Sequence, residues 1–180
     1  MTDLTKTDQK NFLGIPIIGE GSAGSSRVAQ ITKEEFAALV KPLLDHPDVH
    51  LFGWKQYTPY FNDGDVCEFS ACGFYLITKA DAEQHEDLKE NDPYMVEEVF
   101  SPDSDHPTLG GRPWNWDDTT RKGSYGDYEG PDKALYESAM ELSGAINNGS
   151  ADAVLLGLFG DHCRIEVTKD KIEVEEYSHD

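Results

Sequence analysis

Apolar positions first fall into a regular pattern after Thr32. Phe36, Leu39, Val40, Leu43 and Leu44 recur at helical spacing and predict one apolar helix face. Thr32-Lys-Glu-Glu35 in front of them has the form of a capping box, with the hydroxyl closing the first turn and Glu35 reaching back. Pro42 predicts a bend or an end near the last turn. Residues 1–30 predict a poorly ordered lead-in, with one apolar patch, Ile15-Pro-Ile-Ile18, followed by a Gly/Ser run.

The next two apolar runs, Leu51 to Phe61 and Val66 to Ile77, flank Asn62-Asp-Gly-Asp65 and predict a β-hairpin. Pro59 marks the first of them as an edge strand or a bulged one. Residues 79–91 predict a short polar helix anchored only by Ala82 and Leu88, and residues 101–131 are rich in turns with no clear period. Pro131 suits the first turn of a second helix, which Leu135, Ala139, Leu142 and Ile146 give one face and Asn147-Asn-Gly149 ends. Ala153 to Phe159 reads as a buried strand. Cys163, Ile165 and Val167, then Ile172 and Val174, alternate as a terminal hairpin turning at Thr168 to Lys171. The expected fold is therefore α+β: an antiparallel sheet of about five strands, with two helices packed on one face. It forms a single domain over 31–180, with a long acidic, loop-rich insert at about 79–131 projecting from one edge.

Composition narrows the function classes. A chain of 180 residues most simply makes one domain with a real core, and eight Phe, eight Tyr and three Trp argue against a wholly disordered acidic tail. No apolar run approaches the roughly 20 residues that cross a bilayer, and the polar start MTDLTKTDQKNF is not a signal peptide. Three cysteines, Cys67, Cys72 and Cys163, do not make a disulfide framework, so a reducing cytoplasm is the expected setting. The net charge is −20, from 35 acidic and 15 basic residues. Residues 81–105 alone hold ten carboxylates against one base, Lys89. Such a field repels nucleic acid and anionic membranes and attracts basic protein surfaces.

If residues 81–90 are helical, Asp81, Glu83, Glu86, Asp87 and Glu90 lie along roughly 15 Å of axis, or one charge per ~3 Å. One DNA strand carries a phosphate about every 3.4 Å. The stretch thus has the charge density of a phosphate track, although an ordinary solvated face uses the same side chains. Trp114-Asn-Trp116 sits in the long loop near Arg112, Arg121, Lys122, Tyr125 and Tyr128. Exposed, these rings suit the anchor of a protein interface or a stacking platform; folded back, they join the core. His46 and His50, with Asp45 and Asp48, and the run Asp161-His162-Cys163 are the candidate metal ligands, each local cluster able to supply two or three of the about four convergent ligands that zinc requires.

Gly19-Glu-Gly-Ser-Ala-Gly24 matches a dinucleotide fingerprint, with Asp45 downstream. It lacks the strand before it and the helix after it, so a linker is the expected reading. Asn62 to Asp65 offers oxygens but not the length or distal Glu of a calcium loop. No nucleophile elbow is present, the cysteines read as small hydrophobes, and no motif implies a cofactor.

Trp54-Lys-Gln-Tyr-Thr-Pro-Tyr-Phe-Asn-Asp-Gly-Asp-Val-Cys-Glu-Phe69 resembles a segment of uncharacterised bacterial and phage proteins, and Phe159 to Tyr177 is similar to the same group. The resemblance implies a mobile-element origin, where small acidic proteins often inhibit host factors, and carries over no site residue. The resulting expectation is a cytoplasmic, phage-type acidic inhibitor and DNA mimic. It would bind the basic groove of a nucleic-acid-binding protein through Asp81, Glu83, Glu86, Asp87 and Glu90, with Trp114 and Trp116 as anchor. It would not bind nucleic acid or membrane directly. The alternatives are a small metal-binding domain or metal-dependent enzyme using His46, His50, Asp161, His162 or Cys163, and a ligand-binding module built on the two tryptophans.

Overall fold

The structure, a computed structural model, describes residues 11–18, 28–61 and 67–178. Thr32 opens helix α1 (Lys33–Asp45) with the expected reciprocal cap. Its hydroxyl accepts the Glu35 N–H at 3.1 Å, and the Glu35 carboxylate accepts the Thr32 N–H at 2.7 Å. The helix runs through Pro42 and ends three residues later. Strands β3 (Val49–Tyr57) and β4 (Ser70–Thr78) pair antiparallel, as the apolar runs predict. The connecting Asn62 to Asp65 and the Gly19 to Gly24 run lie outside the described residues. Strands β7 (Cys163–Val167) and β8 (Ile172–Glu176) form the terminal hairpin, closed where Thr168 N–H meets Lys171 O at 2.9 Å.

The sheet differs from the expected five-stranded antiparallel one. It has six strands and is mixed, in the order β1-β2-β8-β7-β3-β4. The extra pair comes from the stretch expected to be a loose lead-in. β1 (Asn11–Phe12) and β2 (Ile15–Ile18) turn through Leu13 and Gly14, both at positive φ (54° and 80°), the backbone of a two-residue hairpin turn. Phe12, Ile15 and Ile17 are buried, and β2 lies parallel to β8, with Ile17 opposite Ile172.

Among the described residues there are five α-helices, against an expected two on one face and a short polar one in the insert. Ala153 to Phe159, expected as a strand, is helix α5 (Asp152–Phe159). Its buried residues Asp152, Leu155, Leu156 and Phe159 follow helical spacing. A short run that is apolar nearly throughout carries no period to separate strand from helix. The polar helix expected over 79–91 is present as α2 (Ala82–Asn91), followed by a 3₁₀ turn (Pro93–Met95) and α3 (Val96–Val99). Helix α4 (Lys133–Asn147) is capped by Asp132, whose carboxylate accepts the Leu135 N–H at 3.0 Å, so Pro131 stands just outside the first turn.

The helices divide between the two faces of the sheet. Residues of α1, α4 and α5 share the main core with Phe52, Trp54, Phe74, Leu76, Ile165 and Val167. The alternate positions Leu51, Tyr75 and Ile77 face the other way, where Val96, Phe100 and the half-buried Leu88 and Val99 cover them. The insert does not project as a whole. Its middle wraps the outer edge of β4, where the Leu76 N–H donates to Phe100 O at 3.0 Å and the Leu76 carbonyl accepts from His106 Nε2 at 2.7 Å. That cover removes part of an exposed strand edge, the usual site of unwanted pairing. Beyond it, β5 (Trp114–Asp117) and β6 (Lys122–Tyr125) form a separate two-stranded sheet. Among the described residues no helix is long and apolar enough to cross a membrane.

Candidate functional site

Helix α2 presents Glu83, Glu86, Asp87 and Glu90 at relative positions 0, 3, 4 and 7, and all four are exposed. That spacing places them in one stripe of ~10 Å along the axis. The opposite side carries His85 and Leu88 toward the sheet. Lys89 is drawn away from the stripe: its Nζ donates to both carboxylate oxygens of Glu166, at 2.9 and 2.8 Å. Tyr75 donates a third bond to Glu166, at 3.1 Å. Burial alone would raise the Glu166 carboxyl; the Lys89 and Tyr75 bonds outweigh it and hold the group below its ordinary value. The stripe is thus left without a counter-ion on its own helix.

Asp81 does not belong to the stripe. It is 2% exposed and accepts from the Thr78 N–H (3.1 Å), Thr78 Oγ1 (2.7 Å) and Thr108 Oγ1 (2.6 Å). These donors replace water around the carboxylate, so Asp81 locks the end of β4, the start of α2 and the 106–109 segment together.

The long loop divides its aromatic residues. Tyr128 folds back, stacking on Tyr136 at 4.7 Å between centroids and donating to Leu109 O at 2.7 Å. Trp114, Trp116 and Tyr125 stay outside, each 57% exposed. Trp114 is opposite Tyr125 and Trp116 is opposite Gly123, so the three rings share one face of the β5–β6 hairpin. Trp114 meets Tyr125 edge-on at 4.8 Å, and a side chain at Gly123 would collide with the Trp114 indole. The Arg112 guanidinium lies 5.8 Å from the Tyr125 ring, and its Nε donates to Gly126 O at 2.8 Å. Arg121 and Lys122 are exposed at the hairpin tip. The base of the hairpin adjoins α4, whereas α2 packs on the opposite sheet face, so the stripe and the tryptophans belong to two separate surfaces.

The candidate metal ligands do not converge: among the described residues no three His, Cys, Asp or Glu side chains form a metal-holding group. His46 has both nitrogens occupied. Nδ1 accepts the Asp48 N–H at 3.2 Å, which leaves Nε2 to donate to Asp132 at 3.1 Å. The pair borders a cleft of about 400 Å³ with Asp48, Thr78, Lys79 and Thr108. His50 is exposed on β3. Asp161 is taken up by the Thr58 N–H (2.8 Å) and Thr58 Oγ1 (2.6 Å), and His162 stacks on Tyr60 at 4.7 Å. Burial pushes the Cys163 thiol up to about 12, and it contacts the Phe159 and Gly160 carbonyls at 3.6 Å. Burial likewise raises the Cys72 thiol.

Two features have no counterpart in the sequence expectations. One is an ion-pair cluster beside α3, where Glu97 lies 2.5 Å from Lys55 and 3.5 Å from Arg164. The alternation of Arg164 and Glu166 with inward Cys163, Ile165 and Val167 is the signal that charges line this sheet face. The other is His85, buried in the middle of a polar helix. Comparison with family models, curated proteins and solved structures found no match.

Proposed function

We propose that this is a non-enzymatic acidic interaction protein that sets the Glu83–Glu86–Asp87–Glu90 stripe of α2 into the basic groove of a nucleic-acid-binding protein and blocks it. The observation that carries the reading is the unneutralised stripe: four exposed carboxylates in one row, with Lys89 paired to Glu166 behind them. A desolvated groove lined with Lys and Arg gains most from such a row, and the net charge of −20 speeds the encounter and makes it salt-sensitive. The exposed Trp114, Trp116 and Tyr125 offer a second, aromatic contact on the other surface.

The test is affinity capture from host lysate at low and high salt, followed by titration of the retained protein. The expected partner is basic, is lost at high salt and is displaced by duplex DNA. Changing Glu83, Glu86, Asp87 and Glu90 together to Gln is expected to weaken it on the order of 10²-fold while the fold persists. Unchanged affinity in that variant, or a partner indifferent to DNA, rejects the reading. The exposed indoles support a second reading, a stacking platform for sugars or nucleotides. Quenching of tryptophan fluorescence by those ligands tests it.

A further inference from the structure

Helix α2 is weak on its own. Its ten residues fall short of the ~12–15 at which even favourable isolated helices become marginal. Glu83 faces Glu86 and Asp87, and Glu90 faces Glu86 and Asp87, all at the three- and four-residue spacings where like charges repel. Asp81, at the N-cap position, makes no side-chain cap bond to the first turn. Docking therefore holds α2 in place, through His85, the half-buried Leu88 and the Lys89–Glu166 pair.

Of the α2 residues only His85 is buried, at 1% exposure. Its ring lies against Tyr75 at 6.4 Å and Phe100 at 6.2 Å between centroids. Neither ring nitrogen has a hydrogen-bond partner among the described residues, and the Glu86 carboxylate is 3.7 Å from Nδ1. A neutral imidazole tolerates such a slot at modest cost. An imidazolium there would be a desolvated charge with two unsatisfied N–H groups.

We propose that His85 is a proton-operated latch: neutral, it seats α2 on the sheet, and protonated, it releases the helix. The charged and titratable groups around it are set accordingly. Glu166 from β7 and Glu86 on the same helix favour the proton, whereas Lys89 and, from β3, His50 oppose it. Glu166 is already shared between Lys89 and the Tyr75 hydroxyl of β4. Behind Phe100 stands His106, at 5.9 Å between centroids. Burial is the largest influence and lowers the proton affinity of His85 below that of an ordinary histidine. The docked state is therefore fully favoured above the unfolded value near 6.5 and is lost as pH falls below it.

Only one consequence, weaker binding of a basic partner on acidification, rests on the proposed function. The latch itself is read without a partner. Hydrogen-exchange protection factors, corrected for intrinsic rates, are measured at about pH 7.5 and about pH 5.5. α2 amides are expected to lose up to about tenfold in protection and to stay less protected than α4 amides at both values, as a local opening requires. In His85→Phe, α2 is expected to be equally protected at both values. In the native chain the His85 ring, followed by NMR, is expected to titrate below an ordinary histidine, with α2 protection falling across the interval between the two, a readout that stands even if the variant fails to fold. Protection that does not fall, falls equally in His85→Phe, or falls while the His85 ring titrates as an ordinary histidine overturns the latch. His106 is separated by the variant, because its protonation frees the Thr108 and Leu109 N–H groups and persists in His85→Phe. A latch that responds while no basic partner binds removes the proposed function alone.

Discussion

Lys89 closes a double hydrogen bond on Glu166 and so turns its back on the carboxylates of its own helix. The pair does two things at once: it fastens α2 to the sheet and leaves the stripe uncompensated. Glu166→Gln keeps an acceptor for Tyr75 but frees Lys89 to swing toward Glu86 and Glu90. Stability is expected to fall by about 1 kcal/mol, with weaker binding to a basic partner. Urea unfolding and salt-dependent titration check both, and a stable variant with tighter binding would contradict the assignment.

Gln56 is fully buried and committed on both its oxygen and its nitrogen. It accepts from Trp54 Nε1 at 3.0 Å and donates to Leu155 O at 3.3 Å and to Gly160 O. Gln56→Leu fills the same space but strands one donor and two acceptors under α5. A loss of about 2–3 kcal/mol in urea unfolding is expected. A neutral result would mean that water reaches those groups.

Removing the hairpin indoles should cost the fold almost nothing. Trp114→Ala with Trp116→Ala is expected to leave stability within about 0.5 kcal/mol, because both side chains are mostly in solvent. The remaining Trp54 is buried, so the emission should move to the blue. A large drop in melting temperature would show that the β5–β6 sheet supports the core.

Acid should loosen the molecule through its two buried histidines. Burial lowers His85 and, against the pull of the Leu76 carbonyl and Asp81, lowers His106 as well. A histidine that binds protons less readily when folded stabilises the fold above ~6.5 and withdraws that support below it. The urea midpoint is therefore expected to fall between about pH 7.5 and pH 5.5. A flat or rising midpoint would contradict the burial of both rings.

What the sequence makes legible is local. The Thr32–Glu35 cap, the pairing of the β3 and β4 runs and the turn at Thr168 to Lys171 each follow from neighbours a few residues apart. α5 escapes because Ala153 to Phe159 is apolar on nearly every side. β2 escapes because its partner is β8, distant in sequence, and nothing in Ile15 to Ile18 names it. Asp81 reads as surface charge because the hydroxyl that completes its burial belongs to Thr108. His85 looks like an ordinary polar residue until Tyr75 and Phe100 close on it. The solvent face of α2, by contrast, could be read directly, because a helical repeat fixes which carboxylates stand together.

The parallel seam between β2 and β8 also bears on how the chain is made. Ile17 and Ile172 are separated by roughly 150 residues, so the seam cannot form until both are present. On a ribosome, the Phe12–Ile18 hairpin is synthesised well before its β8 partner, and its outer strand edge stays unpaired until the terminal hairpin emerges. The last edge of the sheet to be completed is thus the first to be translated, and the interval between the two is when this protein most needs protection from its neighbours.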